Sequence, residues 1–206
     1  MKEATITRMG LTLAVICLVA AAALAVTYRM TRPTIEARTR ADRVEALRVV
    51  LPEAVSFSDP IEGEEINYYE GRDGEGRVIG YALIGEARGY SSDISVMVGV
   101  DPSGKISGIE ILSQQETPGL GTLAVEVPAT RTFWEALLGR EPDEPPGRPP
   151  FQEQFAGKTV DRLEVVTGET ETRIEALTGA TITSRAVTEA VRESLKTFLE
   201  QQNKNN

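Results

Sequence analysis

From residue 9 to residue 28 the chain carries no charged side chain, and residues 11–26 are apolar apart from Thr12. At roughly 1.5 Å of rise per residue a helix of this length spans about 30 Å, the hydrocarbon thickness of a bilayer, so the stretch predicts a transmembrane helix. A cleaved signal peptide is the competing reading: Lys2 and Arg8 make a basic start, and Ala21-Ala22-Ala23 and Ala23-Leu24-Ala25 resemble small-residue cleavage sites. The uncleaved anchor is favoured, because the apolar run continues past both sites and ends at Tyr28-Arg29, an interfacial pattern. Cys17 follows Ile16, where a lipoprotein signal needs a small residue, and reads as a lipid-facing or helix-packing side chain. Arg29, Arg32, Arg38, Arg40 and Arg43 outnumber Lys2 and Arg8, so a count of positive charges sets the larger part of the chain in the cytoplasm. Long domains, however, are translocated largely regardless of flanking charge.

Beyond the span, Pro33 either opens a new helix or kinks a continuing one. Ile35, Val44, Leu47 and Leu51 give an apolar stripe with charges opposite, which reads as an amphipathic stalk. The pattern then shortens to a period of two. Strands are predicted at residues 66–70, 78–85, 95–100 and 106–112, with glycine- and aspartate-bearing turns between them and a further strand at 163–166. Short turns make antiparallel neighbours. Near the C-terminus Val187, Val191, Leu195 and Phe198 fall on one helical face. The expected architecture is α+β: a tail (1–8), a single transmembrane helix (9–28), an amphipathic stalk (29–60), a twisted antiparallel sheet packed with helices (61–200) and a polar tail (201–206). A Pro-rich insertion occupies about 125–150, and the proline density of its last ten residues excludes strand or helix there.

Composition narrows the chemistry. With a net charge of −9 and no histidine, the chain offers no basic surface for nucleic acid and lacks the commonest general base and metal ligand. The single cysteine, Cys17, excludes a disulfide framework or an iron–sulfur site within the chain. No catalytic side chain and no metal site is expected; redox chemistry would require a borrowed cofactor.

Two stretches carry candidate binding residues. In Leu177-Thr178-Gly179-Ala180-Thr181-Ile182-Thr183-Ser184, small and hydroxyl residues crowd the start of the C-terminal helix. Such a junction leaves backbone N–H groups unpaired beside a partial positive charge and suits a phosphate. It also reads as an ordinary helix start capped by Thr183 or Ser184. In Glu116-Thr117-Pro118-Gly119-Leu120-Gly121, Pro118 fixes one backbone angle and Gly119 and Gly121 permit close approach of a planar ligand, with Glu116 and Thr117 as polar contacts at a ring edge. The alternative there is a tight surface turn.

Thr178-Gly179-Ala180-Thr181 resembles the flavin attachment motif of the FMN-binding domain shared by the G subunit of Rnf complexes and the C subunit of the sodium-pumping NADH:quinone reductase. Glu116-Thr117-Pro118-Gly119-Leu120-Gly121 resembles a second signature of that family, Phe155-Ala156-Gly157-Lys158 the F-x-G-K that follows it, and residues 89–101 and 104–109 its central hairpin. The resemblance implies a covalent FMN esterified through its phosphate to Thr181, with Thr178, Gly179 and Ala180 shaping the turn that exposes the hydroxyl. It implies that residues 116–121 line the flavin and that Thr183 or Ser184 caps the helix beside the phosphate. Three departures stand out: Glu175 where the family often has Asp, Ser113-Gln114-Gln115 where His often occurs, and the insertion with its Trp134, read as a core residue or a docking contact.

The function implied is a membrane-anchored electron-transfer subunit of an ion-translocating Rnf-type ferredoxin:NAD oxidoreductase, a carrier rather than a stand-alone enzyme. Its implied partners are the membrane and iron–sulfur subunits and a flavin transferase that uses FAD as donor. The resemblance sets the domain on the extracytoplasmic side of the inner membrane. A C-type quinone-reductase subunit or another FMN-binding redox module is the nearer alternative. A cofactor-free membrane-anchored scaffold is the alternative of another class.

Overall fold

A computed structural model describes residues 2–63, 65–126, 147–168 and 170–205, with backbone alone at residues 2–7 and 205. Helix α1 (Lys2–Val50) is continuous, with Pro33 inside it. It is long and apolar enough to cross a membrane, and its side chains from Arg8 to Glu45 are exposed, as a single-pass anchor requires. Thr12 and Thr27 donate their hydroxyls to the carbonyls of Arg8 and Ala23, one turn back, which satisfies them without water.

The chain divides into two compact units after Arg43. The second contains the end of α1, and this alters the expected stalk. Ile35 and Val44 are exposed, but Ala46, Leu47, Val50 and Leu51 are buried with Ala82 and Met97 of the sheet. The helix ends at Val50, and β1 (Ser56–Phe57) already pairs with the next strand, inside the stretch expected to be stalk. The apolar stripe is half anchor extension and half core, because a sheet with two apolar faces needs a cover on each.

β1, β2 (Tyr68–Arg72), β3 (Val78–Arg88), β4 (Asp93–Val100) and β5 (Ile106–Ser113) form one antiparallel sheet in sequence order. The four strands expected here are present with ends shifted by up to three residues. Register slips at Gly71/Arg72, Ser95/Val96 and Gly99/Val100, which add local twist. Successive residues of a strand point to opposite faces, so Leu83, Val96 and Val98 meet helix α3 (Thr181–Asn205) while Ala82 and Met97 meet the end of α1. Val187, Val191, Leu195 and Phe198 are all buried on that side.

Between sheet and α3 come the 3-10 turn Gly121–Ala124, helix α2 (Pro150–Glu153), the 3-10 turn Val160–Arg162, and β6 (Val165–Val166) parallel to β7 (Ile174–Glu175). Pro150 corrects the expectation of no helix in the Pro-rich run: it occupies the first helical position, where a missing N–H costs nothing. α3 also continues through the expected polar tail, because buried Gln201 turns inward and its Oε1 accepts the N–H groups of Glu65 and Ile66 at 3.1 and 3.3 Å. Trp134 and most of the insertion lie outside the described residues.

Candidate functional site

The site is built where two loops converge on the N-terminus of α3. At residues 177–180 the chain turns, with the Ala180 N–H donating to the Leu177 carbonyl at 3.0 Å and Gly179 at φ 78°. A type II turn reserves that position for glycine. α3 then begins at Thr181, which leaves Ala180 in the capping place and corrects the expectation that Thr183 or Ser184 would cap. Both hydroxyls have other work. Ser184 Oγ accepts the Leu177 N–H at 2.9 Å and donates to the Ala180 carbonyl at 3.0 Å. Thr183 Oγ1 donates to Glu116 Oε2 at 2.5 Å. The N–H groups of Thr181, Ile182 and Thr183 have no acceptor within the helix and stand at the positive end of its dipole.

The opposite wall is the segment 116–121. Leu120 N–H closes a turn onto the Thr117 carbonyl at 3.1 Å, and Gly119, at φ 72°, donates its N–H to Thr122 Oγ1 at 2.9 Å. Gly121 lets the two walls meet: a Cβ there would lie 2.5 Å from Glu116 Cβ and 2.9 Å from Thr183 Oγ1. Between the walls lies a cleft of about 530 Å³, within the usual range of small-molecule sites.

Of the expected residues, Glu116, Thr117, Leu120 and Gly121 line one wall, and Gly179, Ala180, Thr181 and Thr183 the other. Thr178, Gly119 and Ser184 shape the loops without lining the cleft. Phe155-Ala156-Gly157-Lys158 does not reach it either. Phe155 is buried in the core, and Gly157 and Lys158 exchange backbone hydrogen bonds with Ile106 at 2.7 and 2.9 Å. Glu175 is exposed in β7, its N–H donating to Gln154 Oε1 at 2.7 Å.

Two lining residues were missed, Tyr90 and Ile182. With Leu120 they are large apolar side chains left 67%, 54% and 43% exposed around the cleft. The signal for Tyr90 was its place after Gly89, at the head of the turn entering β4; only the fold brings that turn beside α3.

Glu116 lines the cleft and is also engaged by the protein itself. It is 5% exposed, and its carboxylate accepts from Ser91 and Ser92 N–H on Oε1 (2.9 and 3.2 Å) and from Tyr90 N–H and the Thr183 hydroxyl on Oε2 (3.1 and 2.5 Å). A carboxylate has about four acceptor positions, so these partners fill it. Burial works against its charge, yet the hydrogen bonds from Thr183, Ser91, Tyr90 and Ser92 outweigh burial and hold the carboxyl below the ordinary glutamate range.

Residues 89–196 match the FMN-binding domain family, and residues 1–50 match the RnfG N-terminal region. The chain belongs to the FMN-binding domain family of RnfG-type proteins. It is 33% identical over 211 aligned positions to the G subunit of the Na(+)-translocating ferredoxin:NAD(+) oxidoreductase complex of Acetobacterium woodii, covering 93% of this chain and 90% of that one. It is 34% identical over 127 positions to the G subunit of the ion-translocating oxidoreductase complex of Methanosarcina acetivorans, covering 57% of this chain and 67% of that one. It is also similar to the crystal structure of Shewanella oneidensis NqrC, with a TM-score of 0.49 and 20% identity over 74% of this chain and 72% of that one. Both walls of the cleft, from Tyr90 to Thr183, fall inside the matched FMN-binding domain.

Proposed function

We propose that this chain is the membrane-anchored electron carrier of an Rnf-type ferredoxin:NAD oxidoreductase complex, with FMN held covalently through a phosphoester at Thr181. The observation that carries the reading is the state of the hydroxyls at the start of α3. Thr183 and Ser184 are committed to internal hydrogen bonds, Thr178 lies outside the cleft, and Thr181, half-buried, lines it with its hydroxyl uncommitted among the described residues. A phosphate on that oxygen sits beside the free N–H groups and positive dipole of the first helical turn.

The cleft's volume and its apolar rim of Tyr90, Leu120 and Ile182 suit a planar aromatic ring. When bound, FMN supplies transfer of one or two electrons, which the side chains of this chain cannot perform alone. Attachment needs FAD and a separate flavin transferase: the Thr181 Oγ–P bond forms, the pyrophosphate bond of FAD breaks, AMP leaves, and the hydroxyl proton passes to a base of the transferase or to water. Thr181 has no neighbouring histidine to activate it, in keeping with an external catalyst.

Membership of a multi-subunit complex is supported by the relatives, which are G subunits of ion-translocating oxidoreductase complexes; in this reading its membrane and iron–sulfur subunits are the partners. The domain lies on the extracytoplasmic side in this reading, where covalent attachment makes occupancy independent of dilute free FMN. A C-terminal alkaline phosphatase fusion is expected to be active, and an inactive one reverses the orientation.

The deciding experiment is intact and peptide mass spectrometry of the full chain co-expressed with a flavin transferase, beside Thr181→Val. An FMN-sized adduct on the Thr181 peptide that is lost in the variant is the expected result. An unmodified chain, with a flavinylated control labelled in parallel, rejects covalent attachment; flavin absorbance of the native protein then separates non-covalent FMN binding from a cofactor-free scaffold.

A further inference from the structure

We propose that Glu116 is the positioning residue of the cleft: one buried carboxylate fastens the turn at residues 90–92 to the first turn of α3 and thereby sets Tyr90 and Thr181 relative to each other. The inference rests on the flavin reading above. Glu116 reaches across 24 to 26 residues to Tyr90, Ser91 and Ser92 and across 67 residues to Thr183, so two loops and the first turn of α3 meet on one side chain. With its acceptor positions filled by the protein, it has no lone pair left for a ligand. Its effect on a bound ring therefore comes from geometry and charge, not from direct contact.

The four donors explain why a carboxylate is needed. In Glu116→Gln the amide group replaces one acceptor oxygen with a donor. If the amide nitrogen faces Ser91 and Ser92, two N–H groups meet a donor. If it faces the other side, Thr183 can rotate its hydroxyl to accept, but the Tyr90 N–H still meets a donor. Either way a backbone N–H of this turn loses its partner in a part-buried place. Gln114 holds Glu116 from behind, its Oε1 accepting the Glu116 N–H at 2.6 Å, and Ser92 Oγ accepts the Gln115 N–H at 2.8 Å. The carboxylate is thus placed by a second set of bonds independent of the cleft.

Charge gives a readout that packing alone does not move. Glu116 lines the cleft, and flavin becomes more negative on full reduction at neutral pH, so a fixed carboxylate disfavours the reduced form. Removing the charge shifts the midpoint potential of the bound flavin to a more positive value. Thr183→Val keeps the charge and removes only one of the fastenings; Thr183→Ser keeps both.

The test uses the full-length chain in detergent with purified flavin transferase and FAD, comparing wild type, Glu116→Gln, Thr183→Val and Thr183→Ser. Initial rates of adduct formation come from intact mass, midpoint potentials from redox titration of the labelled fraction, and folding from circular dichroism. Glu116→Gln and Thr183→Val are expected to slow labelling about tenfold, the size of one lost charge-assisted hydrogen bond, with Thr183→Ser restoring most of the rate. Only Glu116→Gln is expected to raise the potential. If Glu116→Gln does not fold, the contrast between Thr183→Val and Thr183→Ser decides. Equal labelling rates in wild type and every folded variant, with unchanged potentials, overturn the positioning role and leave the flavin reading standing. A wild type that takes no FMN overturns the flavin reading itself, and this inference with it.

Discussion

Glu116 links the pH dependence of folding to the geometry of the cleft. Its folded pKa lies below its unfolded value because the hydrogen bonds outweigh burial. For a carboxyl with a depressed pKa the stabilisation is fully present above the unfolded value, about 4.3, and is lost as pH falls through the folded value. Urea unfolding between pH 7 and pH 3 is therefore expected to show wild type more stable than Glu116→Gln by about 1–3 kcal/mol at neutral pH, with the gap closing only below about pH 4. A gap that stays constant to pH 3 would mean the carboxylate is not held by these bonds. The glycines and proline of Glu116-Thr117-Pro118-Gly119-Leu120-Gly121 marked it in advance as a tight turn open to close approach, and four of its residues line the cleft. That its glutamate is saturated by Tyr90, Ser91, Ser92 and Thr183 was not legible, since those partners become neighbours only when the strands pair.

Helix α3 presents two different ends to the rest of the domain. Its first turn faces the cleft, and its later turns bury Val191, Leu195 and Phe198 against the sheet. Phe198 meets Tyr68 and Tyr81, with ring centroids 5.3 and 5.0 Å apart, and ties α3 to β2 and β3. Phe198→Ala is expected to cost about 3–5 kcal/mol, measured by urea denaturation. That is a large share of the roughly 5–15 kcal/mol by which a domain is stable. A loss under about 1 kcal/mol would show that the rings repack around the cavity. The four-residue spacing of its apolar face made α3 readable in advance. Its start was misjudged because hydroxyls near a helix start look like caps, and here tertiary partners claim Thr183 while the preceding turn claims Ser184.

The division of the chain after Arg43 makes a prediction about where the domain begins. A fragment starting at Val44 keeps Leu47, Val50 and Leu51 in the core, and it keeps the Val49 and Val50 carbonyls that accept from Arg148 and Ser107, each at 2.6 Å. A fragment starting at Pro52 loses all of these and exposes Ala82 and Met97. The first is expected to unfold cooperatively. The second should be weaker by several kcal/mol, at roughly 1.5–3 kcal/mol for each buried aliphatic side chain removed. Thermal melts followed by circular dichroism compare them, and equal midpoints would reject the assignment of the α1 end to the core. The sequence by itself determined the membrane helix, the antiparallel strands, the buried face of α3 and the two loops of the cleft. Each is written in local signals: an uncharged run, a period of two, a period near four, and glycine with proline at turns. That the end of α1 is core, that Tyr90 and Ile182 join the cleft, and that the Glu116 carboxylate accepts from Tyr90, Ser91, Ser92 and Thr183 came only with the tertiary structure. Those outcomes depend on contacts between residues far apart in the chain, and such contacts leave no periodic trace in the sequence.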